Sequence, residues 1–253
     1  MDLNLGGKKA AVAGATRGIG RAIAGLLASE GCNVSICARD KGNVENVVEE
    51  LGTTGVTAMG RALDATDRDA QAAWIEESAL ELGGLDIFIA NVSALNMSAD
   101  IEGWQRGFEV DMMATVYGAE AAIPFLKKSD GGAIVLISSV AALHAASGVR
   151  PYGAAKASVL HYSKGLARDL APDGIRVNSV SPGNIYFEDG VWGRAEQNNP
   201  EFFAKMLAAN PMGRMGRPEE VANAAVFLAS PAASFVSGTN LIVDGALTVG
   251  VQY

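Results

Sequence analysis

Tyr152 and Lys156, in Tyr152-Gly-Ala-Ala-Lys156, are the pair of residues best spaced for chemistry. On a helix, positions i and i+4 share a face. A free phenol has a pKa near 10, too high for a base at neutral pH. An ammonium held beside it favours the phenolate and lowers that value. Such a phenol can give a proton to a carbonyl oxygen and recover it in the reverse direction. Ser139 stands at the end of an apolar run, where its hydroxyl can bond the same oxygen and hold the carbonyl in place.

A second constellation lies near the N-terminus, in Gly14-Ala-Thr16-Arg17-Gly18-Ile19-Gly20. An apolar run through Val12 ends at Gly14, and a helical pattern opens with Ile19, Ala22, Ile23 and Leu26. A strand that passes through glycines into a helix aims free N–H groups and the positive helix end at one point. That arrangement suits a pyrophosphate. Gly14 permits the turn, Gly18 leaves room for a phosphate, and Gly20 allows helix and strand to pack closely.

These residues need elements to position them. Apolar runs at 9–13, 33–38, 57–63, 86–90, 133–138, 176–181 and 240–243 predict strands. Helical patterns fall at 19–29, 43–51, 68–82, 100–127, 151–170 and 218–229, and 184–210 reads as irregular with aromatic side chains. The strands are continuous rather than alternating, as in a parallel sheet covered on both faces. Strict β-α alternation predicts a doubly wound α/β sheet, with ligands at the carboxyl ends of its strands. No repeat or linker divides the 253 residues, so one domain is expected over 1–253.

Composition narrows the partners. At 49% hydrophobic and 19% charged, the chain can bury one large core. A net charge of −8 argues against nucleic acid or an anionic membrane as partner. Cys32 and Cys37 are too close for a disulfide and match no metal-site spacing. With no signal peptide and no membrane-length apolar run, a cytoplasmic protein is expected.

Taken together, the glycine loop, Ser139, Tyr152 with Lys156, Ser181-Pro182-Gly183 and Val243-Asp244-Gly245 resemble the short-chain dehydrogenase/reductase family. The resemblance covers nearly the whole chain. It implies a Rossmann-type sheet of six to seven strands with helices on both faces. It implies Tyr152 as acid and base, Ser139 as substrate-orienting, and Lys156 as both phenol activator and ribose ligand. Asp64 falls at a place that contacts adenine, and Asn91 behind the cofactor. The resemblance also implies a dimer or tetramer, with 218–229 and 246–253 at its contacts. It includes 3-oxoacyl-[acyl-carrier-protein] reductase, for which Arg106, Lys127 and Lys128 are a candidate basic patch.

Cofactor choice follows from charge. The family's NAD-selecting acid at the end of the second strand is Ala38 here, followed by Arg39. Arg39 and Arg17 can clamp a 2′-phosphate, so NADP(H) is expected. Asp40 could accept a ribose hydroxyl instead and select NAD(H). Several family positions depart. Ala13 replaces a threonine, and Ala90-Asn91-Val92-Ser93 retains one residue of an Asn-Asn-Ala-Gly segment. Asp111 stands where an asparagine completes the proton relay, adding a charge near Lys156. Phe187 replaces a threonine that binds the nicotinamide amide. Contact there would fall to Pro182, Gly183 and the backbone of Ile185.

On the substrate side, His144 lies on the loop towards Tyr152. Tyr186, Phe187, Trp192, Phe202, Phe203 and Met206 make an aromatic segment over 184–210, either a lid or a subunit interface. Glu188 and Asp189 would repel an anionic substrate if they face inward. The expected activity is interconversion of an apolar or aromatic ketone and its secondary alcohol. The alternatives are acyl-carrier-protein reduction and a dinucleotide-binding sensor or scaffold without catalysis.

Overall fold

Seven short apolar segments pair into one sheet in the computed structural model, which describes residues 2–145 and 150–251. They are β1 (Lys9–Ala13), β2 (Asn33–Ala38), β3 (Ala58–Ala62), β4 (Ile87–Ala90), β5 (Ala133–Ile137), β6 (Arg176–Pro182) and β7 (Asn240–Val243). The order is β3-β2-β1-β4-β5-β6-β7, and every pairing is parallel. Val12 sits between Ile36 and Ile89 in register. Strands β4 and β5 are buried throughout, while the edge strands β3 and β7 are half-exposed. Continuous apolar runs therefore mark the strands covered on both faces.

Two helical layers cover the sheet. On one face α1 (Gly18–Ser29) and α9 (Pro218–Ala229) bury Ile23 and Leu27 with Val221 and Val226. Near them α2 (Lys41–Gly52) packs through Val44, Val47 and Leu51. The other face carries α3 (Arg68–Glu81), α5 (Ala114–Leu126) and α6 (Pro151–Leu170). There Trp74 is fully buried and its indole N–H donates to Ser35 Oγ at 2.9 Å. Arg176 ties β6 to the carboxyl end of α9, donating to the carbonyls of Leu228, Ala229 and Ser230. Those carbonyls have no partner within the helix.

Two stretches differ from the sequence reading. The single helical region over 100–127 is three pieces. Helix α4 (Ile101–Gly107) runs into a π-helical turn (Phe108–Met113) and then into α5. A π turn inserts one residue and rotates the helix face, a device frequent at functional sites. The residue brought inward is Asp111, fully buried. The 184–210 stretch is also not irregular. It folds into α7 (Val191–Asn198) and α8 (Pro200–Ala208). Asn199 caps α8 by accepting from Phe202 N at 3.2 Å, and Pro200 occupies the first turn. No helix among the described residues is long and apolar enough to cross a membrane.

Candidate active site

The order of the strands reverses between β1 and β4, and a crevice opens at their carboxyl ends. Its volume is about 1130 Å³. Gly14, Thr16, Arg17 and Ile19 line one end, Arg39 and Asp64 another, and Asn91, Ser139, Tyr152 and Lys156 the centre. Pro182, Gly183, Ile185, Phe187 and Trp192 complete the wall.

The glycine loop is shaped for close approach. Gly14 has φ +75° and Gly18 φ +54°, a region that side chains rarely adopt. A Cβ on Gly20 would overlap the Gly14 carbonyl oxygen and the Asn91 amide nitrogen. Asn91 Nδ2 donates to that same carbonyl at 2.8 Å, so it braces the loop from behind. Gly20→Ala should therefore destabilise the fold by on the order of 3 kcal/mol. A thermal melt checks this, and an unchanged melting temperature would contradict the packing described.

Helix ends show where the loop is left open. Asp40, Asp67 and Asp100 each cap a helix, accepting from Asn43 N, Ala70 N and Gly103 N. At α1 the cap position is Arg17, and no side chain caps the helix. Its first N–H groups are thus available to an anion in the crevice. The uncapped end, the missing Cβ atoms and the crevice volume fit a dinucleotide. The Phe187 ring lies over Gly18, so close that a Cβ there would come within 2.6 Å of it.

At the adenosine end, Ala38 is half-buried and Arg39 is exposed beside the crevice. Asp40 accepts from Asn43 N at 2.8 Å through Oδ1 and also lines the crevice. Asp64 accepts from both the N–H and the hydroxyl of Thr66. Those bonds hold its carboxyl below the ordinary value, helped by nearby Arg106 and Arg39. Arg106 thus faces the crevice, whereas Lys127 pairs with Asp173 at 2.8 Å. Arg17 reaches the Asp189 carbonyl, just before α7, at 3.5 Å.

The centre gathers four elements. From α6 come Tyr152 and Lys156, with Nζ 6.0 Å from the phenol ring centroid. The buried ammonium donates to the Ile137 carbonyl at 3.0 Å and lies 3.2 Å from Asp111 Oδ1. Ser138 ties α6 to β5 by donating to the Lys156 carbonyl at 2.9 Å. Ser139, and Ser93 after β4, line the same crevice as the phenol, and both hydroxyls favour its ionised form. Sequence reading singles out Ser93 as a departure without giving it a role. Its only signal is a serine where the family has glycine.

One electrostatic expectation is corrected. The phenol in the free protein sits above its ordinary value. Burial is the largest cause and Asp111 adds to it, outweighing Lys156 and the two serines. The ammonium alone does not make this phenol acidic, because the neighbouring carboxylate offsets its charge.

Two residues named on the substrate side stand apart from the crevice. His144 is exposed and absent from its walls. Tyr186 donates its hydroxyl to Glu196 at 2.6 Å and packs edge-on against Phe203. Trp192 does line the crevice, stacked on Phe202 with centroids 6.0 Å apart. Among the described residues, no group of three or more His, Cys, Asp or Glu is arranged to hold a metal.

Comparison with known proteins bears on this geometry. The family model described as enoyl-(acyl carrier protein) reductase matches residues 14–248. An isoepoxydon dehydrogenase from Penicillium expansum is 40% identical over 100% of this chain and 99% of its own length. The chain belongs to the short-chain dehydrogenase/reductase family. A cis-4-hydroxycyclohexanecarboxylate dehydrogenase from Sinomonas cyclohexanicum is 37% identical, covering 94% of this chain and 96% of that one. A cyclohexanol dehydrogenase from Acinetobacter is 33% identical, covering 98% of each. Among solved structures, a 7α-hydroxysteroid dehydrogenase complexed with NADH and 7-oxo glycochenodeoxycholic acid superposes with a TM-score of 0.89. It is 32% identical and the match covers 97% of this chain and 96% of that one. The L-sorbose reductase of Gluconobacter frateurii, complexed with NADPH and L-sorbose, gives 0.90 at 30% identity, covering 99% and 100%. As a member of this family the chain is an oxidoreductase of CH–OH groups, built on the Rossmann-type sheet.

Proposed function

We propose that this chain is an NADP(H)-dependent oxidoreductase that interconverts a cyclic secondary alcohol and its ketone. The observation that carries the reading is the Tyr152 phenol, backed by Lys156 and sharing with Ser139 the crevice that begins at the glycine loop. A nicotinamide dinucleotide bound there supplies or accepts the hydride. The free N–H groups of α1 would hold its pyrophosphate, and Arg39 would meet the 2′-phosphate. Tyr152 gives its proton to the substrate oxygen during reduction and recovers it during oxidation. Ser139 fixes that oxygen. Lys156, between Ile137 and Asp111, holds a positive charge under the phenol.

NADP(H) is favoured because Ala38 offers no carboxylate and Asp40 is engaged by α2. A cyclic substrate is favoured by the relatives named for cyclohexanol and cis-4-hydroxycyclohexanecarboxylate. Val92, Leu95, Met97, Val191 and Trp192 supply apolar walls of suitable character. Acyl-carrier-protein reduction is the second reading, favoured by the description of the matching family model. Exposed Phe235, Leu241 and Val249 around β7 support a homodimer or homotetramer.

A panel of cyclohexanone, its ring-substituted relatives, acyclic ketones and an oxoacyl-carrier-protein tests the reading. Turnover is followed by nicotinamide absorbance with NADPH and with NADH. The expected result is fastest turnover with a cyclic ketone and NADPH. Preference for the carrier-protein thioester would establish the second reading. Tight NADPH binding with no turnover would leave only a sensor.

A further inference from the structure

A glycine at position 18 keeps the first turn of α1 bare, so that a pyrophosphate can approach the backbone. The chain fills that space itself. A Cβ on Gly18 would lie 2.6 Å from Cζ of Phe187, 2.8 Å from Cε1 and 3.1 Å from Cε2. The tip of the ring therefore rests on the Gly18 backbone. A second glycine flanks the ring, since a Cβ on Gly190 would lie 2.8 Å from Cε1 and 2.9 Å from Cζ. The phenyl group is seated between two residues that have no side chain to displace it.

The seat is a poor chemical match. No side chain caps α1, and its first N–H groups want an acceptor that a phenyl ring does not supply. Phe187 is only half-buried, so it gains part of what a core phenylalanine gains from leaving water. The backbone that carries it is firmly held up to Tyr186, where Ile185 bridges to Gly216 and Tyr186 N donates to the Gly216 carbonyl at 2.8 Å. Beyond that point the short bonds are local. Gly190 N donates to the Phe187 carbonyl at 2.9 Å, and Arg194 to the Asp189 carbonyl at 2.6 Å. The bond back to the glycine loop, from Arg17 to the Asp189 carbonyl, is long at 3.5 Å. Among the described residues, α7 buries Gly193 alone and α8 buries none. Elements with so little buried surface move at low cost.

We propose that Phe187 is an autoinhibitory plug, whose ring covers the pyrophosphate place on Gly18 until the 187–190 turn swings it off the glycine loop. A ring and a phosphate do not share that space. This deepens the dinucleotide reading and rests on it, but not on the choice between NADP(H) and NAD(H), because both carry the pyrophosphate. The apparent affinity for either cofactor is lowered by the fraction of molecules whose ring is displaced. The same turn leads into α7, whose Val191 and Trp192 line the crevice, so admission of the cofactor also resets those walls.

Rapid mixing of the full chain with NADPH or NADH, followed by the fluorescence of the bound nicotinamide, tests this without turnover. Where the ring must leave first, the observed binding rate of the wild type should level off at the opening rate as cofactor concentration rises. Phe187→Ala should bind with rates that climb linearly over the same range and with a Kd about tenfold lower, as for a ring displaced about a tenth of the time. Phe187→Leu is shorter than the ring yet still apolar. It should shift the same way, and it carries the test if the alanine variant melts early. Adenosine, which has no phosphate, should compete equally well in the wild type and the variants. Wild-type rates and Kd in both variants would overturn the plug, and so would weaker binding in both, the mark of a ring that supports the cofactor. A gain shared by adenosine would place the effect away from the pyrophosphate and overturn it too. Failure of wild type and variants alike to bind either cofactor would remove the dinucleotide reading, and the plug with it.

Discussion

Tyr152→Phe should lower kcat by about 10³-fold or more while NADPH still binds. Only the phenol oxygen is lost. The ring keeps its packing, and the glycine loop, Asn91 and the α1 N-terminus lie on other elements. Cofactor affinity is therefore expected to change little, measured by the fluorescence of bound NADPH. The pH dependence carries a second signature. Burial and Asp111 hold the phenol above its ordinary value, so in the free protein it is protonated at neutral pH. Carbonyl reduction then has its proton donor ready. Alcohol oxidation needs the phenolate, so its rate should climb with pH until the phenol is titrated. The phenylalanine variant should lose that climb. Wild-type turnover in Tyr152→Phe would remove the proposed mechanism.

The second large effect is expected at the adenosine end. Arg39→Asp should raise the KM for NADPH by about 100-fold and leave that for NADH near its starting value or below it. The substitution removes a guanidinium able to bond a phosphate through two N–H groups and puts a like charge in its place. The adjacent Asp40 caps α2 through Oδ1. Steady-state kinetics with both cofactors check this. Equal effects on the two would show that Arg39 is a solvated surface residue.

Much of the scaffold was legible before any coordinates. The runs at 9–13, 33–38 and 240–243 coincide with β1, β2 and β7 residue for residue. Pro151 in a first turn and Pro218 at a helix start placed α6 and α9. The same local signal was present in Asn199-Pro200, a cap followed by a first-turn proline, yet the exposed α7 and α8 hide in a stretch with little buried surface. The π turn at 108–113 left no trace, since one inserted residue barely disturbs an apolar period.

The site divides the same way. Spacing alone paired Tyr152 with Lys156, because four residues on a helix fix a shared face whatever surrounds it. The glycine loop was equally local, a matter of which backbone angles and approaches a missing Cβ permits. What the chain could not reveal by itself was the company these groups keep. Asp111, Ser93 and Ser139 come from three separate elements, and only folding sets a carboxylate 3.2 Å from Lys156 and gathers both serines into the crevice of the phenol. The protonation preference of Tyr152 is a sum over that shell. Burial and charge depend on atoms far away in sequence, so its sign belongs to the tertiary structure, while the residue types and their local periods belong to the sequence.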